Sequence, residues 1–157
     1  MNIKCFSFIA LLLFVQSCDL RSKSRLQPDH SKEAKKALLD ADRAFSAMSE
    51  TKGMKNAFID YIDSNGVLLR PGQLPIIGAD AIDFLTLQDD KAYTLTWEPK
   101  DGEVAKSGEI GYTYGVFSLR FKDKDSVQRG TYVSIWKLQS DGSWKFTLDS
   151  GNDGIDE

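Results

Sequence analysis

Histidine and cysteine are almost absent. His30 is the one imidazole, and both thiols, Cys5 and Cys18, fall near the start of the chain. A Ser-His-Asp triad and a histidine-ligated metal centre are excluded from the body of the chain unless His30 folds back onto it. An excess of positive charge is also missing: Lys+Arg 20 against Asp+Glu 23 gives a net charge of −3 and a pI near 5.2. Gripping phosphate backbones needs a clustered basic face, so nucleic acid is not an expected partner. Nor is there an apolar run long enough to span a bilayer. The longest, Phe8 to Val15 inside Ile3 to Val15, follows the early cation Lys4 and reads as an export signal. What is present, 157 residues that are 41% hydrophobic and 27% charged, suffices for one small globular domain.

The signal ends in Val15-Gln16-Ser17-Cys18, which resembles a bacterial lipobox, with Gln16 where a small or apolar residue is usual. The resemblance implies cleavage before Cys18 and lipidation of its thiol. Acyl chains contribute about 0.8 kcal/mol per buried CH₂, so two or three of them hold a protein firmly to a membrane. The alternative is an ordinary cleaved signal with Cys18 lost or free. On the lipoprotein reading the protein is a membrane-anchored component of the bacterial cell envelope, most naturally on the periplasmic side. Cys5 leaves with the signal, so no internal disulfide, thiol nucleophile or cysteine-ligated zinc is expected. The expected layout is a signal peptide over 1–17, a polar tether over 18–30, a folded domain over 31–150 and an acidic tail over 151–157.

Behind Ser31, a suitable N-cap, Ala34, Ala37, Leu38, Ala41, Phe45 and Met48 recur at three- and four-residue steps and predict a helix. Gly53 interrupts it. Met54, Ala57, Phe58, Tyr61 and Ile62 resume the spacing up to the turn signal Asp63-Ser64-Asn65-Gly66. Short strands are expected at Val67 to Arg70 and Ile76-Ile77, then a short helix opened by Gly78. From Tyr93 the period is two: strands are expected over Tyr93 to Trp97, Gly111 to Phe121, Gly130 to Leu138 and Ser143 to Asp149, with a further piece at Glu103 to Ala105. Gly115 marks a bulge or a close approach, and Asp141-Gly142 a two-residue hairpin. Helices followed by a strand meander are α+β, not alternating βαβ. Both faces of the late strands are apolar: Tyr132, Trp136 and Leu138 point one way, Val133 and Ile135 the other.

From about Leu38 to Asp149 the chain resembles the nuclear-transport-factor-two-like superfamily, shared with ketosteroid isomerases and polyketide cyclases. The matching pieces are Phe58 to Tyr61, Val67 to Gly72, Leu95 to Pro99, Gly111 to Gly115, Gly130 to Val133, Ile135 to Lys137 and Asp141 to Lys145. Exported bacterial members grouped as a domain of unknown function are the most similar. The resemblance implies N-terminal helices packed in a curved antiparallel sheet, a cone with an apolar pocket, and a homodimer through the outer sheet face. It also places the isomerase base just before a proline and glycine after the first strand, where this chain has Arg70 before Pro71-Gly72. A guanidinium cannot serve as that base. The first helix supplies Phe45 where the isomerase has a tyrosine, so that mechanism is not expected here.

Arg70 admits a ligand reading, recognition of a ligand carboxylate, and a bland one, an internal salt bridge to Asp60, Asp63 or Glu98 or simple exposure. Trp97, Tyr112, Tyr114, Tyr132, Trp136 and Trp144 are candidates to line a pocket, or plain core. The expected ligand is a small apolar or acidic organic molecule, with no cofactor and no metal. An enzyme would draw its base from Asp60, Asp63, Glu98 or Glu109, and a structural interaction module is the third reading. Asp149 to Gly154 bears a faint likeness to a calcium loop and is read as an acidic, frayed end.

Overall fold

The computed structural model describes residues 30–124 and 126–155. The signal, Cys18 and the tether up to residue 29 lie outside the described residues.

Among the described residues, three helices precede or interrupt the strands: α1 Ser31–Lys52, α2 Met54–Tyr61 and α3 Ala79–Thr86. The apolar stripe predicted for the first helix is its buried face, with Leu38 and Phe45 sealed from solvent. His30 stands at the N-cap of α1, its backbone N–H donating to the Lys106 carbonyl at 3.3 Å. Gly53 separates α1 from α2 at a φ of 88°, a conformation that disfavours any residue with a Cβ. The Asp90 carboxylate caps α2 by accepting the Lys55 N–H at 2.8 Å.

Six strands form one sheet: β1 Ile62–Leu69, β2 Ile76–Ile77, β3 Tyr93–Val104, β4 Ile110–Phe121, β5 Val127–Leu138 and β6 Trp144–Asp153, in the order β2-β1-β6-β5-β4-β3. The sheet curves around the helices, giving the expected α+β architecture. All neighbours are antiparallel except β1 and β6, which run parallel. Asp63 to Gly66, expected as a turn between elements, is an irregularity inside β1. The ladder with β6 skips from Ile62 to Val67, and Asp63 accepts the Asn65 N–H at 2.9 Å. The two pieces expected around Tyr93 and Glu103 are a single strand with a bulge between Pro99 and Asp101. Because β3 is an edge strand, Pro99 leaves no ladder bond unmade.

Asp141-Gly142 lies in a longer hairpin loop than the two-residue turn expected. The Gly142 N–H donates to the Gln139 carbonyl at 3.0 Å and the Gln139 N–H to Ser143 at 2.8 Å, with Gly142 left-handed at φ 85°. That is a turn closed by a glycine bulge. The chain beyond Asp149 is not a frayed tail: β6 runs to Asp153, and Thr131 faces Asn152 in register.

Phe45 is the hub of the core. Its ring lies 4.5 Å from Trp97, 4.7 Å from Tyr61, 4.8 Å from Phe58 and 5.5 Å from Phe146, and Trp136 stands edge-on at 6.0 Å. Such ring pairs add roughly 0.5–1.5 kcal/mol each beyond the area they bury. Helix α1 also covers part of the free edge of β3. Ser46 donates to the Trp97 carbonyl at 2.7 Å and accepts its N–H at 2.8 Å, while Ser49 donates to the Leu95 carbonyl at 2.7 Å. A strand edge that would otherwise offer unpaired groups to another chain is closed by two helical hydroxyls.

Candidate functional site

A cavity of about 330 Å³ opens between α1, α2 and the concave side of the sheet. Its walls are mostly apolar: Phe45 and Phe58 from the helices with Met54 beside them, Tyr93, Leu95 and Trp97 from β3, Phe117 and Leu119 from β4, and Pro71 after β1. Alternation puts them there. On β4, Phe117 and Leu119 share the inward parity of Gly111, Thr113 and Gly115, so the glycines leave room where helix and sheet meet and the large side chains line the open end. At Gly115 a Cβ would sit 2.1 Å from the Glu98 carbonyl oxygen, which makes this the close approach expected from the sequence.

The polar side of the cavity is made by Arg70, Tyr132, Ser134, Asp149, Ser150 and Asp153. Most of it is already engaged. The Arg70 Nη2 donates to Asp149 Oδ1 at 2.8 Å, and Nη1 donates to the Leu69 and Asp149 carbonyls at 3.0 and 3.2 Å. Ser134 donates to the other carboxylate oxygen of Asp149 at 2.8 Å. The Arg70 guanidinium also lies 5.7 Å above the Phe58 ring. The internal salt bridge weighed for Arg70 is therefore present, with Asp149 as partner and not Asp60, Asp63 or Glu98. Parallel pairing of β1 with β6, which sets Leu68 opposite Asp149, brings the two together.

Behind the wall lies a second network. Asp42, on α1 and fully buried, accepts the Trp97 Nε1–H at 2.7 Å and the Tyr132 phenol at 2.7 Å. Burial pushes its carboxyl above the usual carboxylate range, and the nearby Asp149 charge pushes the same way; hydrogen bonds from Tyr132, Trp97 and Thr113 pull against them. The Tyr132 phenol is raised in turn, by burial first and then by Asp42. Thr113 accepts the Trp136 indole N–H at 2.8 Å. Among the described residues, no buried side-chain nitrogen or oxygen lacks a partner.

Of the candidates named from sequence, Arg70, Trp97 and Tyr132 meet at this cavity. Trp136 and Trp144 are packed in the core, and Tyr112 and Tyr114 point out of the opposite face of the sheet, 42% and 47% exposed. The two tyrosines have the parity of Ile110, opposite to that of Phe117, so they cannot reach the interior. Asp60, Glu98 and Glu109 are exposed and outside the cavity, and Asp63 is tied to Asn65 and Gln139. Sequence reasoning missed Asp42, Ser134, Asp149 and Asp153 as parts of the site. A signal for Asp42 was available: it stands four residues after Leu38 and three before Phe45, a carboxylate on the apolar stripe of an amphipathic helix.

No family model and no curated protein matches the sequence. Solved structures do match its fold. A ketosteroid isomerase-like protein from Erwinia carotovora atroseptica superposes with a TM-score of 0.59 at 17% identity, over 78% of this chain and 97% of the other. A nuclear transport factor 2 superfamily protein from Salmonella enterica gives 0.59 at 10% identity, over 79% and 93%. A protein from Catenulispora acidiphila in complex with S-DNPA gives 0.57 at 13% identity, over 75% and 91%. Solved structures described as nuclear-transport-factor-two-like and as having a cystatin-like fold thus share this arrangement of helices and sheet: the chain has the nuclear-transport-factor-two-like, cystatin-like α+β fold.

Proposed function

We propose that this is a lipid-anchored protein of the bacterial envelope whose domain binds a small, largely apolar organic molecule in the cavity between α1, α2 and the sheet. The observation that carries the reading is an open, mainly apolar cavity of about 330 Å³ whose inner polar groups are satisfied by one another. Such a site receives an apolar body without having to strip water from unpaired polar groups, and its dimensions are those of a small-molecule pocket. A fold neighbour was solved with a small molecule, S-DNPA, which is a statement about that protein. The anchor rests on the residues around Cys18 alone.

Catalysis is the second reading. One observation favours it: Asp42, whose carboxyl burial pushes above the usual carboxylate range, accepts the Tyr132 phenol, whose ring lines the cavity. With the phenol donating to the carboxyl, the pair can take a proton from a ligand: the phenol oxygen accepts it while passing its own proton to Asp42. Against it, Asp149, one of the two carboxylates in the cavity wall, has both oxygens engaged by Arg70 and Ser134 and is poorly placed to take a proton.

Native mass spectrometry of the chain from residue 19 onward tests the binding reading. A co-purified small molecule is expected, and it should be lost from Gly151→Leu. A Cβ at Gly151 fits at 3.5 Å from the Phe117 ring, so the longer side chain fills the cavity. Failure of both this capture and a broad search with apolar compounds would end the reading. For the anchor, cells fed labelled fatty acid should label the full chain and leave Cys18→Ser unlabelled.

A further inference from the structure

The charges around the cavity say what kind of small molecule it takes, an inference that rests on the binding reading above. Among the described residues Arg70 is the one cation in the wall, and it is spent: its guanidinium faces Asp149 at 2.8 Å and the two backbone carbonyls, with the side chain only 22% exposed. The reason for expecting an acidic ligand, an unpaired buried guanidinium, is therefore gone. What remains is negative. Asp153, at the end of β6 and on the inward parity of Asp149 and Gly151, lines the mouth and makes no ion pair with any described residue. One cation and two carboxylates leave the wall with a surplus negative charge.

The rest of the lining favours the same sign. Phe45, Phe58, Tyr93, Trp97, Phe117 and Tyr132 make it an aromatic chamber, and aromatic rings attract cations through their quadrupole. The site already shows the effect, with the Arg70 guanidinium 5.7 Å over Phe58. A carboxylate entering here would meet Asp149 and Asp153 as like charges, whereas an ammonium would meet Asp153 directly and leave its apolar body among the rings.

We propose that the cavity selects an organic cation, a protonated or quaternary amine on a ring-sized apolar body, with Asp153 as the group that receives the charge. The Tyr132 and Ser134 hydroxyls in the wall are already spent on Asp42 and Asp149, so a single amine set against Asp153 is the one charged group the molecule needs.

Isothermal titration of the chain from residue 19 onward with three probes on one frame tests this: naphthylmethylamine, naphthylmethanol and naphthoate at neutral pH. The amine should bind at least about tenfold more tightly than the alcohol, and naphthoate most weakly. Asp153→Asn should weaken the amine by about fivefold or more and leave the alcohol unchanged, because a carboxylate–ammonium contact is removed and nothing else. Asp153 is exposed, so the variant should melt with the wild type, and an unchanged melting temperature keeps the comparison clean. Equal binding of amine and alcohol, tightest binding of naphthoate, or an amine affinity indifferent to Asp153→Asn would each overturn the inference while leaving the cavity a binding site. Binding of none of the three would overturn the inference, and the capture and compound search above decide whether the binding reading falls with it.

Discussion

Asp42 and Tyr132, ninety positions apart in the chain, are joined by a 2.7 Å hydrogen bond from the phenol to the buried carboxyl. Through Asp42 the first helix is fastened to the fifth strand by Tyr132 and to the third by Trp97, and Thr113 joins from the fourth. The carboxyl thus ties the helix layer to three strands at the back of the cavity. Replacing it with alanine would leave the phenol and the indole N–H without an acceptor in a closed interior. Each such group costs roughly 1–3 kcal/mol. Asp42→Ala is therefore expected to lose about 3 kcal/mol or more in urea titrations, whereas Tyr132→Phe, which removes one donor and leaves Asp42 held by the Trp97 indole, should lose less, about 1–2 kcal/mol. Equal losses would contradict the central place given to Asp42.

The same carboxyl gives a pH signature whose sign is fixed. Burial raises its folded pKa above the unfolded value, so the folded chain holds the Asp42 proton more tightly. Its contribution to stability is present at acid pH, below the unfolded value, and is lost as pH rises through the raised folded value. Asp40, Asp101 and Asp141 are shifted the other way, by hydrogen bonds from Lys36, Lys35 and Ser143, and their contributions fade as pH falls; all three are solvent-screened. Subtracting the Asp42→Asn curve from the wild-type curve isolates Asp42. The difference should shift in favour of wild type as pH falls from about 8 toward about 4.5, a range starting just above the ordinary carboxylate value. Parallel curves would mean that Asp42 titrates as an ordinary aspartate.

Arg70 and Asp149 form the other polar pair, with side chains 22% and 10% exposed. Removing one member leaves a nearly buried charge, which costs about 3–5 kcal/mol, while removing both together is far milder. Arg70→Met should destabilise strongly, and Arg70→Met with Asp149→Leu should recover a large part of the loss. Chemical denaturation of the two variants beside the wild type decides it. If Arg70→Met melts with the wild type, the pair is not structural and the guanidinium is free for a ligand after all.

The outline of the fold was open to reading from the sequence because local pattern encodes it. Leu38 and Phe45 lie on a helical stripe, and Tyr132, Ser134 and Trp136 alternate along a strand with their apolar neighbours facing out. The site was only partly open. Arg70, Trp97 and Tyr132 carry visible chemistry, but Asp149 sat in a run of serine, glycine, asparagine and aspartate that imitates a loop, and the strand continues through it because β5 supplies a full ladder. The pairing of Arg70 with Asp149 depends on β1 lying parallel to β6, a long-range choice that no local period records. Pro99 likewise reads as a strand breaker until β3 is known to be an edge.

Two glycines on neighbouring strands should respond in opposite ways. At Gly130 a Cβ would lie 2.1 Å from the Asn152 carbonyl oxygen and 2.4 Å from the Phe117 ring, so the ladder itself must shift. At Gly151 the nearest atom is 3.5 Å away, ordinary contact. Gly130→Ala is expected to cost about 1–3 kcal/mol, the range for overpacking a tight site, and Gly151→Ala to stay within about 0.5 kcal/mol of wild type. Thermal melts of the two single variants compare them directly.

The convex face of the sheet carries Ile110, Tyr112, Tyr114 and Val133, each 37% exposed or more, with the Tyr112 and Tyr114 rings stacked 6.5 Å apart. Tyr114 stands opposite Val133 across the β4–β5 ladder, so the apolar side chains are contiguous. Contiguous apolar surface of this kind marks an interaction site more often than scattered residues do. The homodimer expected from the family resemblance would bury it, each copy presenting the same patch about a two-fold axis. Val133→Lys introduces a charge at the middle of that surface without touching the cavity, because its side chain points away from Tyr132 and Ser134. Sedimentation velocity of the chain from residue 19 onward should then show a dimer for the wild type and a monomer for Val133→Lys, with cavity binding of a small probe kept. A wild type that sediments as a monomer at all accessible concentrations would assign the patch to some other partner, and a variant that stays dimeric would place the interface elsewhere.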